Sequence, residues 1–133
     1  MLRSVADTHA LIWYLYDDPR LSTPARTEFE AAAANGDVIG LSVISLAEIV
    51  YLGEKGRIHP DVFGRLLDAL DQPGAVLRVL PLDRAVVEVM PNIDRSAVPD
   101  LPDRVIAATA RFAGVPLISR DRQIRLAGLH TIW

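Results

Sequence analysis

Short apolar runs alternate with longer stretches of helical pattern along the whole chain. Residues 2–6 read as a buried strand, and at Asp7 the run stops and a helical pattern over Thr8 to Asp17 begins at once, ended by Asp18-Pro19. A second helix spans 22–35 and stops at Asn35-Gly36, and Asp37 to Leu41 is a strand. Ser42 and Ser45 offer N-caps to a helix that closes between Gly53 and Gly56. Pro60 to Asp71 is a helix, Val76 to Leu80 a strand, and Asp83 to Met90 a short helix stopped by Pro91. Residues 91–102 carry three prolines and read as a loop. Asp103 to Ala113 is a helix entered through Pro102 and ended by Gly114. Val115 to Ser119 is a strand, Asp121 to Leu126 a short helix, and His130 to Trp133 a last strand.

This order predicts the α/β class: one domain over residues 1–133, a central parallel β-sheet and helices on both faces. No internal repeat, low-complexity tract or linker interrupts it. In the first helix Leu11, Ile12, Trp13, Tyr14, Leu15 and Tyr16 point around most of the circumference. A helix apolar all round needs burial on more than one side. With Tyr51 and Leu52 it predicts an apolar groove for a partner's amphipathic helix, or core and homodimer packing.

Composition narrows the chemistry. Half of the 133 residues are apolar, which argues against disorder, and the length suits a single core. Without cysteine, any metal must be held by oxygen or histidine nitrogen. No apolar run approaches the roughly 18 residues of a membrane span, and the N-terminus is no secretory signal, so a cytoplasmic protein is expected. The net charge of −3 does not suit nucleic-acid binding by bulk charge. Phosphate would need a metal or a local basic rim, and 13 of the 14 basic residues are arginine, which can fork onto phosphate.

The acids carry the candidate chemistry. Asp7, Asp103 and Asp121, each at a helix start, would singly be ordinary caps or dipole partners. Glu48 lies in an otherwise apolar helix, where burial without a partner is costly and a narrow solvent-facing strip with Ser45 is the plain alternative. Together, all four can reach the carboxyl edge of one parallel sheet, where open α/β folds bind ligands. Two unit charges about 4 Å apart repel by on the order of 4 kcal/mol at an effective dielectric near 20. Such a cluster calls for a cation or shared protons, and hard carboxylate oxygens select Mg²⁺ or Mn²⁺. That chemistry suits phosphodiester hydrolysis. Arg104, Arg120, Arg122 and Arg125, beside Asp103 and Asp121, are the candidate phosphate contacts at its rim.

At these residues the chain resembles a known family. Asp7-Thr8-His9-Ala10-Leu11-Ile12-Trp13, Ser42-Val43-Ile44-Ser45-Leu46-Ala47-Glu48-Ile49, Pro102 through Ala110, and Leu117-Ile118-Ser119-Arg120-Asp121 are similar, in order and spacing, to the four motifs of PIN-domain ribonucleases, nearest to the VapC-type toxins. The resemblance implies a Mg²⁺- or Mn²⁺-dependent endoribonuclease, commonly a homodimer, held inactive by a cognate antitoxin. It carries Asp7, Glu48, Asp103 and Asp121 over as catalytic and metal-holding acids, with Thr8 and Ser119 as supporting hydroxyls. Arg104, Arg120 and Arg122 then become candidate RNA contacts. Asp100, one turn before Asp103, is a further ligand or a loop residue. His9 is expected to be a packed or hydrogen-bonded histidine, and His59 and His130 to be surface residues. The alternative function is a catalytically silent PIN-like module that binds RNA or protein. An aspartyl phosphatase lacks its second aspartate, since His9 stands in that place, and a phosphoacceptor module lacks its lysine, Lys55 being the only one.

Overall fold

The computed structural model describes residues 1–133. Its strands are β1 (Leu2–Ala6), β2 (Val38–Ser42), β3 (Leu77–Leu80), β4 (Leu117–Ile118) and β5 (Thr131–Ile132). Its helices are α1 (Thr8–Leu15), α2 (Thr23–Asn35), α3 (Val43–Glu54), α4 (Val62–Asp71), α5 (Arg84–Val89), α6 (Leu101–Ala113) and α7 (Arg122–Leu126). The five strands form one sheet in the order β3-β2-β1-β4-β5, and every pair is parallel. The α/β class, the parallel sheet and the helices on both faces are as the sequence predicts.

Two cores cover the sheet. Neighbouring residues of a strand face opposite ways, so β1 and β4 each supply both. Ala6 and Ile118 join Ile39, Leu41 and Phe29 under α1 to α4. Val5 and Leu117 join Val86, Ile106 and Ile124 under α5 to α7. Strands that are buried on both faces have to be apolar throughout, which is why they read as continuous apolar runs.

The structure moves several boundaries, and α4 starts at Val62 rather than Pro60. α1 ends at Leu15 rather than Asp17, because Asp17 takes the left-handed conformation at φ 49°. The 91–102 loop opens with a 3₁₀ turn, Met90–Asn92, and closes early because α6 begins at Leu101. Its cap is Asp100, which leaves Pro102 in the first turn, where a missing N–H costs nothing. β4 and β5 are two residues each. The all-round apolar helix also proves to be buried by its own chain. Leu11, Ile12 and Trp13 are in the core, Tyr14 stacks on Phe29 at 4.0 Å, and the Tyr16 hydroxyl donates to Asp61. The chain therefore covers most of α1 itself, while Ile12, Trp13 and Tyr16 still line a cavity with Ile58 and Val62, and Tyr51 stays exposed. No helix is long and apolar enough to cross a membrane.

Candidate active site

The strand order reverses between β1 and β4. From β1 the chain builds outward to β2 and β3, then returns to the other side for β4 and β5. Loops that leave the carboxyl ends of β1 and β4 diverge and open a crevice there. Asp7 is the first residue after β1, and Ser119 to Asp121 follow β4. The register pairs Ala6 with Ile118, so the two segments emerge side by side.

A cavity of about 320 Å³ lies at this point, lined by Asp7, Asp103, Asp121, His9, Trp13 and Arg120. Asp7 caps α1, accepting the Ala10 N–H at 2.9 Å. Asp121 caps α7 in the same way, and its own N–H donates to the Ser119 hydroxyl oxygen at 3.1 Å. Both are therefore the caps their sequence positions suggest, and both also face the cavity. Asp103 comes in from the first turn of α6, whose cap, Asp100, accepts the Asp103 N–H.

Glu48 is held from a different direction. The buried Thr8 hydroxyl donates to Glu48 Oε1, and the Ser45 hydroxyl, one turn earlier on α3, lies 3.0 Å from the Thr8 oxygen. The polar strip of Ser45 and Glu48 is thus turned inward against Thr8 rather than to solvent. Glu48 lines another cavity, of about 460 Å³, together with Asp100 and Pro102, which stand just before Asp103 in the chain.

The electrostatics tie the acids together. Burial pushes the Asp103 carboxyl up, and the charges of Asp100, Glu48, Asp7 and Asp121 push it further, to about 7. Burial also raises Asp7, while the Ser119 hydroxyl and the Ala10 N–H pull the other way. None of these acids is ion-paired. No three Asp, Glu or His side chains already converge at ligand distance of one point. The donor set nevertheless suits a hard divalent cation, being carboxylate oxygen throughout and carrying repulsion that a cation relieves. Asp7, Glu48, Asp103 and Asp121 are the residues that would hold it.

The arginines divide. Arg120 lines the acid cavity and lies over the Trp13 ring, 4.8 Å from its centroid. Arg104 does not line it: its guanidinium turns back to the carbonyls of Met90 and Ile93, at 2.8 and 3.4 Å. That follows from helix geometry, since adjacent residues of a helix point in different directions. Arg122 is exposed away from the cavities, and Arg125 donates to Thr131. His9 packs its ring against Trp13, with centroids 5.8 Å apart, as expected, but it is also exposed and lines the cavity. His59 is on the surface but is paired with Asp61, and His130 is exposed. Arg57, outside the arginines expected at the rim, lines the Glu48 cavity. Only its place just after the helix-ending Gly56 singles it out.

Residues 4–128 match the family model of the PIN domain. The chain is 29% identical over 125 residues to Ribonuclease VapC22 of Mycobacterium tuberculosis (strain ATCC 25618 / H37Rv), a match that covers 94% of this chain and 92% of that protein. Among solved structures it resembles VapBC2 from Rickettsia felis bound to a DNA fragment from their promoter. The TM-score there is 0.73 at 16% identity, covering 98% of this chain and 97% of the other. It also resembles FitAcB from Neisseria gonorrhoeae, with a TM-score of 0.64 at 23% identity, covering 96% of this chain and 94% of the other. At these identities the structural likeness speaks for the fold.

Proposed function

The chain belongs to the PIN domain family, and on that premise we propose that it is a metal-dependent endoribonuclease, the toxin of a type II toxin–antitoxin pair. The observation that carries this reading is the unpaired acid cluster at the switch point of the sheet, with Asp103 raised to about 7 by burial and by four neighbouring carboxylates. Carboxylates crowded in a cleft without ion pairs mark a candidate functional site, and a cation relieves their repulsion. The relative from Mycobacterium tuberculosis is named a ribonuclease, and it matches nearly the whole of this chain. The complete reading is one nuclease domain over residues 1–133, in the cytoplasm, as a homodimer that a cognate antitoxin silences.

Asp7, Glu48, Asp103 and Asp121 would hold the cation, Mg²⁺ or Mn²⁺. Bound there, it would supply charge neutralisation at the phosphate and a more acidic water. Thr8 fixes Glu48 by its hydroxyl proton, so the carboxylate does not swing to solvent. Ser119 bridges the two strand ends, lying against Asp7 and accepting from the Asp121 N–H. Arg120, held over Trp13, can donate to a phosphate oxygen at the mouth of the cavity.

Two measurements test the reading. Purified protein, free of any partner, is incubated with total cellular RNA and Mg²⁺ or Mn²⁺, with and without chelator, beside Asp7→Asn. Discrete fragments that need both the metal and Asp7 are expected. In parallel, Mn²⁺ should raise the melting temperature of the wild type and raise that of Asp7→Asn less. Full cleavage by Asp7→Asn would overturn the assignment of the acids, and metal binding with no cleavage would leave a binding-only module.

A further inference from the structure

Three cavities follow one another at the acid edge, linked through the second. The acid cavity shares His9 and Trp13 with a second one of about 370 Å³, between α1 and the loop that enters α4. The third contains Glu48 and Asp100. Arg57 lines both the second and the third, so it stands where they meet, beside the acids.

Its backbone is fixed. Gly56 takes the left-handed conformation at φ 69°, its N–H reaches the Gly53 carbonyl at 3.1 Å, and the Arg57 N–H reaches the Leu52 carbonyl at 2.9 Å. These are the two bonds of a Schellman stop, which here aims the residue after the glycine at the cavities. The guanidinium itself makes no hydrogen bond or ion pair. Arg20, also in the second cavity, is instead tied to Asp18 through contacts of 2.7 and 3.1 Å. Trp13 offers little room for a stacked base, since it is 5% exposed and is approached by both Arg20 and Arg120. What the second cavity holds free at the acid edge is one uncommitted fork of donors.

We propose that Arg57 is a substrate-binding residue, which receives a backbone phosphate of the RNA strand beside the one being cleaved and so directs the strand away from the acids. The proposal rests on the nuclease reading. A chain of net charge −3 cannot hold RNA by its overall field, so each local cation carries a large share of the affinity.

The test uses a fluorescein-labelled, random-sequence single-stranded RNA, bound to the Asp103→Asn protein in Mg²⁺ over a range of salt. Adding Arg57→Ala should weaken binding roughly threefold to tenfold, and should lower the slope of log affinity against log salt by about 0.7, one phosphate's share for a single strand. Arg57→Lys should fall between. Arg95→Ala, an exposed arginine away from the three cavities, is the control and should change neither. With Asp103 intact, Arg57→Ala should raise KM for total RNA while kcat stays close to wild type. If Arg57→Ala matches Arg95→Ala in affinity, slope and KM while the wild type still cleaves, this inference falls and the nuclease reading stands. If the wild type neither binds nor cleaves RNA, both fall. Loss of a partner protein's binding without loss of RNA binding would make Arg57 a protein contact and overturn the proposal.

Discussion

Two groups of acids sit at opposite ends of the same strands, and they have been treated in opposite ways. At the amino end Glu28 and Asp37 are surrounded by donors. Arg3 reaches Glu28 at 3.1 Å and Asp37 at 3.3 Å, the Ser4 hydroxyl reaches Glu28 at 2.6 Å, and the amino terminus reaches Asp37 at 3.3 Å. Burial pushes Glu28 up, but Ser4 and Arg3 more than offset it and hold the carboxyl below its ordinary range. The amino terminus leads in doing the same for Asp37. At the carboxyl end Asp7 and Asp103 are raised and make no ion pair, the charge of His9 offsetting only part of the burial of Asp7. The residue types are the same. The first group ties α2 to β1 and β2, and the second leaves its charge unsatisfied for something that is not part of the chain.

The sharpest way to break this contrast is to neutralise one acid of each group. Asp103→Asn should cost cleavage by roughly a thousandfold or more, the scale of removing a main electrostatic element of a site. The same change should raise the melting temperature in chelator, since it removes a charge the fold resists. A variant that is both inactive and destabilised would place Asp103 with the structural acids instead.

Glu28→Gln should do the reverse. Cleavage per folded molecule should be unchanged, while urea denaturation shows a loss of about 1–3 kcal/mol, from a hydroxyl and a guanidinium left poorly paired. A neutral outcome would make the amino-end cluster ordinary surface charge.

The smallest effect is in pH. A carboxyl that is raised in the fold binds its proton more tightly there than in the unfolded chain. In metal-free buffer, the Asp103 contribution should therefore make stability fall as pH rises from about 4 to about 7. The slope should be shallow, below one proton's worth of about 1.4 kcal/mol per pH unit. Glu28 and Asp37, lowered in the fold, contribute stability that is present above their ordinary range and is lost as pH falls through their lowered values. The two limbs should thus separate in a pH series of melting temperatures. Asp103→Asn should flatten only the neutral limb, and saturating Mn²⁺ should flatten it too. A neutral limb that survives Asp103→Asn would assign it to another group.

By itself the sequence determined the alternation of strands and helices, the parallel sheet, and which acids end the strands. Those features are local. Asn35-Gly36 stops a helix, and an apolar run between two helices has to be a buried strand, wherever the rest of the chain goes. The caps Asp7 and Asp121 were legible for the same reason, as was the motif order that points to the family. Tertiary structure alone decided how each side chain is used. How much of α1 its own chain covers depends on Phe29, from the next helix, and on Trp133, from the far end of the chain. Whether Glu48 faces water or Thr8 depends on how α3 lies against α1. Arg104 and Arg120 both stand next to a cavity acid, yet one turns to carbonyls and the other to the cavity. Arg57 shows in the sequence only as the residue after a helix-ending glycine, and its use emerges where two cavities meet at its side chain. Burial and mutual repulsion exist only between residues the fold has brought together, so the charge state of Asp103 could be found only there.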